Sequence, residues 1–229
     1  MTHSADEFDT SAAREAIFKR TRALQGRPDT RKPHEAQLAR EYMEQHRRGP
    51  QPSPVEDVVA LFVEKSKAML CSVDRVATLE EAVQSCRDYL AHQGLVAQGE
   101  AVVWPSLKHL NWQALGMPVR WGAPTGDDRV GISGTAFAVA ETGTLVLASS
   151  PETPASTHLL PETHIALVHE HQIAHTLEDV FARMRAQGMA MPRALNCVSG
   201  PSRTADIEQT IVLGAHGPYR VHLVVIKEA

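Results

Sequence analysis

The sequence predicts an α/β layered domain with a mostly parallel central sheet flanked by helices, preceded by a helical N-terminal extension. Three observations carry this. Short apolar runs alternate with amphipathic segments after residue 54. Several runs, such as 165–169 and 219–226, are apolar at successive positions, which marks strands covered on both faces. The first fifty residues, by contrast, hold only polar segments with a thin apolar stripe. Beyond Val130 β character dominates, which makes the expected sheet mixed.

Residues 9–25 and 33–48 read as two helices rich in Arg and Glu, separated by a break at 26–33. Their apolar residues (Ala13, Ile17, Leu24; Leu38, Tyr42) make too narrow a stripe for a core. The Pro-rich segment Gly49-Pro50-Gln51-Pro52-Ser53-Pro54 is the best boundary in the chain. It divides a helical extension, 1–50, from an α/β domain, 51–229. Ser53, Pro54 and Glu56 then give a helix-start signal. Val55, Val58, Val59, Phe62 and Val63 follow at helical spacing, so a helix is expected over 54–68. Thr78 and Glu81 repeat the signal for a second helix that ends before Gly94. Strands are expected at 69–73, 101–104, 119–121, 138–140, 144–148, 165–169, 195–198 and 219–226. One long helix, about 174–187, interrupts the later ones.

With 229 residues, 43% of them apolar, the chain can bury one substantial core plus an appendage. A net charge of −4 is too mild for a nucleic-acid or membrane-surface partner. No run approaches the ~20 apolar residues that a membrane span needs. The first residues show neither a basic nor an apolar signal region, so a cytoplasmic location is expected. Cys71, Cys86 and Cys197 are odd in number and far apart. They fit buried thiols rather than disulfides or an iron–sulfur site, and no cofactor and no metal are expected.

The densest chemistry lies in residues 196–218. Ser199, Gly200, Pro201 and Ser202 form a small-residue loop after an apolar run, followed by Arg203, Thr204, Asp206 and Glu208. In α/β proteins such a loop exposes backbone N–H groups at the carboxyl edge of a sheet. Gly200 admits a ligand close to the backbone, the hydroxyls of Ser199, Ser202 and Thr204 add donors, and Arg203 can clamp a carboxylate or phosphate. The competing reading is a tight turn with Thr204 capping a short helix and Asp206 and Glu208 at its positive end. A small anionic substrate is the partner such a loop suits. His216 and Gly217, in the turn Gly214-Ala215-His216-Gly217-Pro218, place an imidazole between glycines, where it either reaches a ligand or simply meets solvent.

Glu141, Thr142 and Gly143 form a turn between two apolar runs. A carboxylate there is a candidate base or nucleophile, or else the tip of a solvated hairpin. Gly131-Ile132-Ser133-Gly134-Thr135 is glycine-spaced but matches no nucleotide-binding pattern. His169, Glu170, His171 and His175 lack the spacing of a zinc motif, and a strand end followed by a helix start accounts for them.

Taken together, three segments resemble the lactate utilization protein C family, the LUD-domain proteins. They run from Gly131 to Leu147, from Leu159 to Val168, and from Ser199 to Glu208 with Gly214–Pro218; the likeness covers about residues 55–229. The resemblance implies a fold like the sugar-phosphate isomerase and CoA-transferase group. It also implies a role with iron–sulfur partner proteins in oxidising L-lactate to pyruvate. Glu141, Asp206 and His216 are then the acid/base candidates. Thr142, Gly143, Ser199, Gly200, Ser202, Arg203, Thr204, Glu208 and Gly217 are the substrate-binding ones. Family members often carry an Arg shortly before the Leu159-Leu160-Pro161 segment; Pro154–His158 has none, and Arg203 or His158 would stand in. The alternative, on fold analogy, is a stand-alone transferase or isomerase acting on a phosphosugar, acyl-CoA or folate-type substrate.

Overall fold

A computed structural model describes residues 9–28, 32–97, 99–205 and 211–228. By contacts the chain divides into two compact units, Met1–Pro50 and Gln51–Ala229. The first contains helices α1 (Ser11–Leu24) and α2 (Pro33–Gln45), neither with a buried residue. Ile17, Leu24, Tyr42 and Met43 stand exposed on them.

Among the described residues the second unit holds α3 (Val58–Ala68), α4 (Leu79–His92) and α5 (Leu177–Ala186) with twelve strands. In chain order the strands are β1 (Ser72–Val76), β2 (Ala101–Val103), β3 (Val119–Trp121), β4 (Val130–Ser133), β5 (Phe137–Val139) and β6 (Thr144–Ala148). There follow β7 (Thr163–His169), β8 (Ile173–Ala174), β9 (Leu195–Val198), β10 (Arg203–Ala205), β11 (Ile211–Leu213) and β12 (Arg220–Ile226). Six of them form a sheet in the order β1-β12-β7-β4-β2-β3 in which every pairing is parallel. The antiparallel pairing expected inside that sheet is instead gathered into a separate one, β8-β5-β6-β9. One mixed sheet is thus corrected to three among the described residues, the third being the antiparallel pair β10-β11. The hairpin β5–β6 instead pairs with β8 and β9 and stacks on the parallel sheet.

Side-chain alternation shows how the layers stack. In β7, Ile165 and Leu167 pack on α4 through Val83, Cys86 and Leu90, while Ala166 and Val168 face the other way. There they meet Ala138, Ala140, Leu145 and Leu147 of the second sheet, with Phe62 of α3. The far face of the second sheet, Phe137, Val139 and Val146, closes on Val180 and Met184 of α5. The order of layers is helix, parallel sheet, second sheet, helix. Both sheets are covered on both faces, which is why their strands read as continuous apolar runs.

Helix starts follow their caps. Thr78 accepts from Glu81 N–H at 3.2 Å, and Thr176 with Asp179 forms a reciprocal box. For α3 the expected Ser53 signal gives way to Asp57, whose carboxylate accepts from Ala60 N–H at 2.8 Å. Likewise α5 begins at Leu177, after its cap, and not at Ala174, which pairs in β8. Strand β1 starts three residues later than expected because Met69 still caps α3 and Leu70 turns the chain with φ +69°.

A polar bridge crosses the layer between the sheets. Ser133 Oγ lies 2.8 Å from His164 Nε2, and Asn196 Nδ2 lies 2.9 Å from His158 Nε2. The two imidazoles are 5.9 Å apart and the Trp104 edge meets His158. Burial pushes His158 down to about 4 and His164 down to about 3, so both are neutral near pH 7. His158, buried here, is not the cation that replaces the missing Arg.

Two predictions follow from this packing. The folded pKa values of His158 and His164 lie below the ~6.5 of the unfolded chain, so the unfolded state binds more protons between. Stability is therefore full above about pH 6.5 and is lost as pH falls toward 4, by about 1.4 kcal/mol for each tenfold difference in proton affinity. Urea midpoints measured from pH 7 to pH 4.5 should fall steeply, and His164→Gln should make the slope shallower. Gly143 has φ +62°, and a Cβ there would sit 2.5 Å from Ser66 N of α3. Gly143→Ala should cost about 3 kcal/mol in the same assay, from strain and overpacking combined.

Candidate functional site

The residues picked out by sequence fall into separate places. Thr142, Thr144 and Ser199 form a hydroxyl ladder: Thr142 Oγ1 to Thr144 Oγ1 and Thr144 Oγ1 to Ser199 Oγ are both 2.6 Å. Thr144 is buried and the two ends are exposed. Pairing of β6 with β9, Leu145 opposite Val198, sets this ladder across two adjacent strand ends. Gly143 and Gly200 press this corner against the end of α3: a Cβ on Gly200 would lie 2.1 Å from the Met69 carbonyl. Arg203 comes to the same carbonyl, with Nη2 3.4 Å from Met69 O and 3.7 Å from Met69 Sδ. Lys65 and Lys67 occupy the last turn of α3. Hydroxyls and cations thus surround one helix end, and the cations also complement its negative pole. Such a corner can accept a small carboxylate by hydroxyl and guanidinium donors.

Other candidates lie elsewhere. Glu141 is turned to the start of α5, where its Oε1 accepts from Leu177 N–H at 3.3 Å. That is the capping role a carboxylate takes at a helix N-terminus. Ser202 is held by backbone bonds, its N–H to Pro218 O and its carbonyl to Gly214 N–H, both 2.8 Å. Gly217 packs beside Ser202, and exposed His216 lines a cleft of about 360 Å³ with Leu159, Leu160, Glu162 and Tyr219. Thr204 lies in β10 opposite Val212 of β11. Thr204 is therefore a strand residue and caps no helix among the described residues. The 199–204 loop also follows a strand of the second sheet, not the carboxyl edge of the parallel one. Asp206 and Glu208 lie outside the described residues.

Sequence reading missed the carboxyl edge itself. From β2 the chain passes to β3 on one side, and from β4 toward β7 on the other, so connections diverge between β2 and β4. Ligands of open α/β sheets favour that point. Here a cleft of about 600 Å³ opens there, lined by Trp104, Ser106, His109, Gly134, Thr135 and Gln172 among others. No Lys, Arg, Asp or Glu among the described residues lines it. The one local signal was Gly134, right after a strand.

His169 ends β7, Glu170–Gln172 makes a single turn, and His175 precedes the α5 cap. Among the described residues no group of three or more His, Cys, Asp or Glu is placed to hold a metal. Cys71 and Cys86 are buried, and burial raises their thiols to about 11 and about 12. Cys197 is exposed. No helix of the described residues is long and apolar enough to cross a membrane.

Comparison with known proteins bears on this geometry. Residues 127–226 match the LUD domain family. Lactate utilization protein C of Bacillus subtilis is 34% identical over 135 residues, 54% of this chain and 56% of that protein. The protein of the same name from Geobacillus thermodenitrificans is 35% identical over 102 residues, 43% of this chain and 42% of that one. The matches thus span about half the length of these relatives. A DUF162 family protein from Deinococcus radiodurans shares the fold, with a TM-score of 0.55 and 23% identity over 76% of this chain and 99% of that one. The stretch that is similar to the LUD domain, residues 127–226, holds β5, β6, β9 and the loops of the hydroxyl corner.

Proposed function

We propose that this chain is a cytoplasmic component of lactate utilisation that binds a small hydroxy or keto acid and works with iron–sulfur proteins oxidising L-lactate to pyruvate. The observation that carries the binding half is the hydroxyl ladder Thr142–Thr144–Ser199 beside Arg203. The likeness to proteins named for lactate utilisation supplies the substrate class.

In this reading the acid's carboxylate meets the Arg203 guanidinium, and its hydroxyl or keto oxygen meets the exposed ends of the ladder. Thr144, sealed between them, fixes their direction. Glu141 acts from a distance by pinning α5. Of the acid/base candidates, Asp206, three residues after Arg203 in sequence, is assigned the proton transfer, while His216 serves the neighbouring cleft. Electron transfer falls to partner chains, a division supported by three cysteines that sit on separate elements.

Deleting the gene should abolish growth on L-lactate, and the wild-type gene should restore it. Arg203→Ala should weaken acid binding roughly 10- to 100-fold, the loss of one charge-assisted hydrogen bond. Complementing cells should then oxidise lactate more slowly at limiting lactate. Normal growth of the deletion strain on lactate would refute the role. Turnover of a phosphosugar, acyl-CoA or folate by the purified chain alone would favour a stand-alone enzyme instead.

A further inference from the structure

A second polar cleft, of about 600 Å³, opens between α4 and the strands β1 and β12. It is lined by Ser72 and Asp74 of β1, Tyr89 and His92 of α4, and Arg220 and His222 of β12. The parallel register sets Ser72 opposite His222, and residues two apart share a face, so Asp74 and Arg220 join them on the α4 side. Ser72 Oγ lies 2.9 Å from His222 Nδ1, and His222 Nε2 lies 3.7 Å from Asp74 Oδ2. Ser85 donates to that same carboxylate oxygen at 2.7 Å and holds it in place. The Tyr89 ring stacks on the imidazole at 4.0 Å and 7°. His222 is 1% exposed, whereas Ser72 and Asp74 are open to the cleft.

The imidazole is an unusual thing to bury here. Its Nε2 has no hydrogen-bond partner, although it faces a carboxylate. His158 and His164 also bury an unpartnered Nδ1, but the orphaned nitrogen of His222 is the one that faces a carboxylate. An Nε2–H that is 3.7 Å from a carboxylate gains most when the ring becomes charged, that is, at the moment Nδ1 takes a proton. Burial pushes His222 down to about 4 with Asp74 pulling it back up, so the ring is neutral near pH 7.

We propose that Ser72, His222 and Asp74 form a nucleophilic relay that acts on a short acyl ester or thioester held in this cleft. Ser72 Oγ attacks the acyl carbon and its proton passes to His222 Nδ1. The bond to the leaving alcohol or thiol breaks, and that group takes the proton back from His222, leaving the acyl group esterified to Ser72. Water then attacks the acyl carbon, giving its proton to His222. The Ser72 ester bond breaks, Oγ recovers the proton, and a free carboxylic acid departs. Asp74 steadies the imidazolium in each half, and Arg220 supplies positive charge for the developing oxyanion. The ring nitrogens exchange the positions usual in such triads, with Nδ1 toward the serine, because His222 lies on the strand paired with Ser72.

The test uses the full chain with a fluorophosphonate probe and with p-nitrophenyl acetate. Peptide mapping should place the phosphonyl group on Ser72, and Ser72→Ala, a change at an exposed position, should abolish labelling. His222→Gln should slow labelling at least 100-fold. Asp74→Asn, also at an exposed site, should slow p-nitrophenyl acetate hydrolysis about tenfold or more while the melting temperature stays put. Labelling that is absent, or that persists in Ser72→Ala, would overturn the proposal. So would equal esterase rates for the wild type and Ser72→Ala.

Discussion

Everything in the α/β unit depends on the burial of the parallel sheet from both sides. Its central strands β4, β7 and β12 send alternate side chains to α4 and to the second sheet, and every position on them but the half-buried ends His169 and Arg220 is buried. The inner seam sets the small residues Ala138, Ala140 and Ala166 among larger ones such as Leu145, Leu147 and Val168. A slip of one residue would exchange the two faces and break the packing of Ile165 and Leu167 on α4 and of Ala166 and Val168 on the second sheet. The register is therefore fixed, and with it the loops at every strand end.

That fixed register decides which side chains can meet. Thr144 and Ser199 meet because β6 and β9 are adjacent and antiparallel, and Arg203 reaches the same corner because the chain turns at Gly200 against Met69. Ser72 and His222 meet because β1 and β12 are parallel neighbours 150 residues apart in sequence. In each case the chemistry depends on strand pairing rather than on a contiguous motif. The buried His158–His164 bridge shows the cost of polarity inside such a seam: the rings are satisfied by Ser133 and Asn196 on one edge and held neutral.

What the sequence disclosed was largely local. Apolar runs located eight strands to within a few residues, and Thr78 marked the start of α4, because burial and capping leave short-range signatures. The start of α3 was misread since Ser53 and Asp57 offer the same chemistry and only packing chooses between them. The second sheet was hidden because pairing partners are not written in a strand's own residues. The same limit applied to function. The Ser199–Arg203 loop was legible as anion-friendly and the Glu141–Gly143 turn as the place of a carboxylate, and the structure brings Thr142 of that turn to Ser199 through Thr144. Thr144, the residue that joins them, reads in sequence only as the first residue of a strand. Glu141 looked available for acid/base work until α5 was placed beside it, and the Ser72–His222 pairing carried no sequence signal at all.

The account turns on whether a small hydroxy or keto acid binds at the corner where the hydroxyl ladder meets Arg203. The most direct measurement is amide and side-chain chemical-shift mapping of the isotope-labelled chain during titration with L-lactate and with pyruvate. The account predicts saturable shifts centred on Thr142–Thr144 and Ser199–Arg203, lost in Arg203→Ala. Shifts confined to the carboxyl-edge cleft around Trp104 and Gly134, or no shifts with either acid, would contradict it.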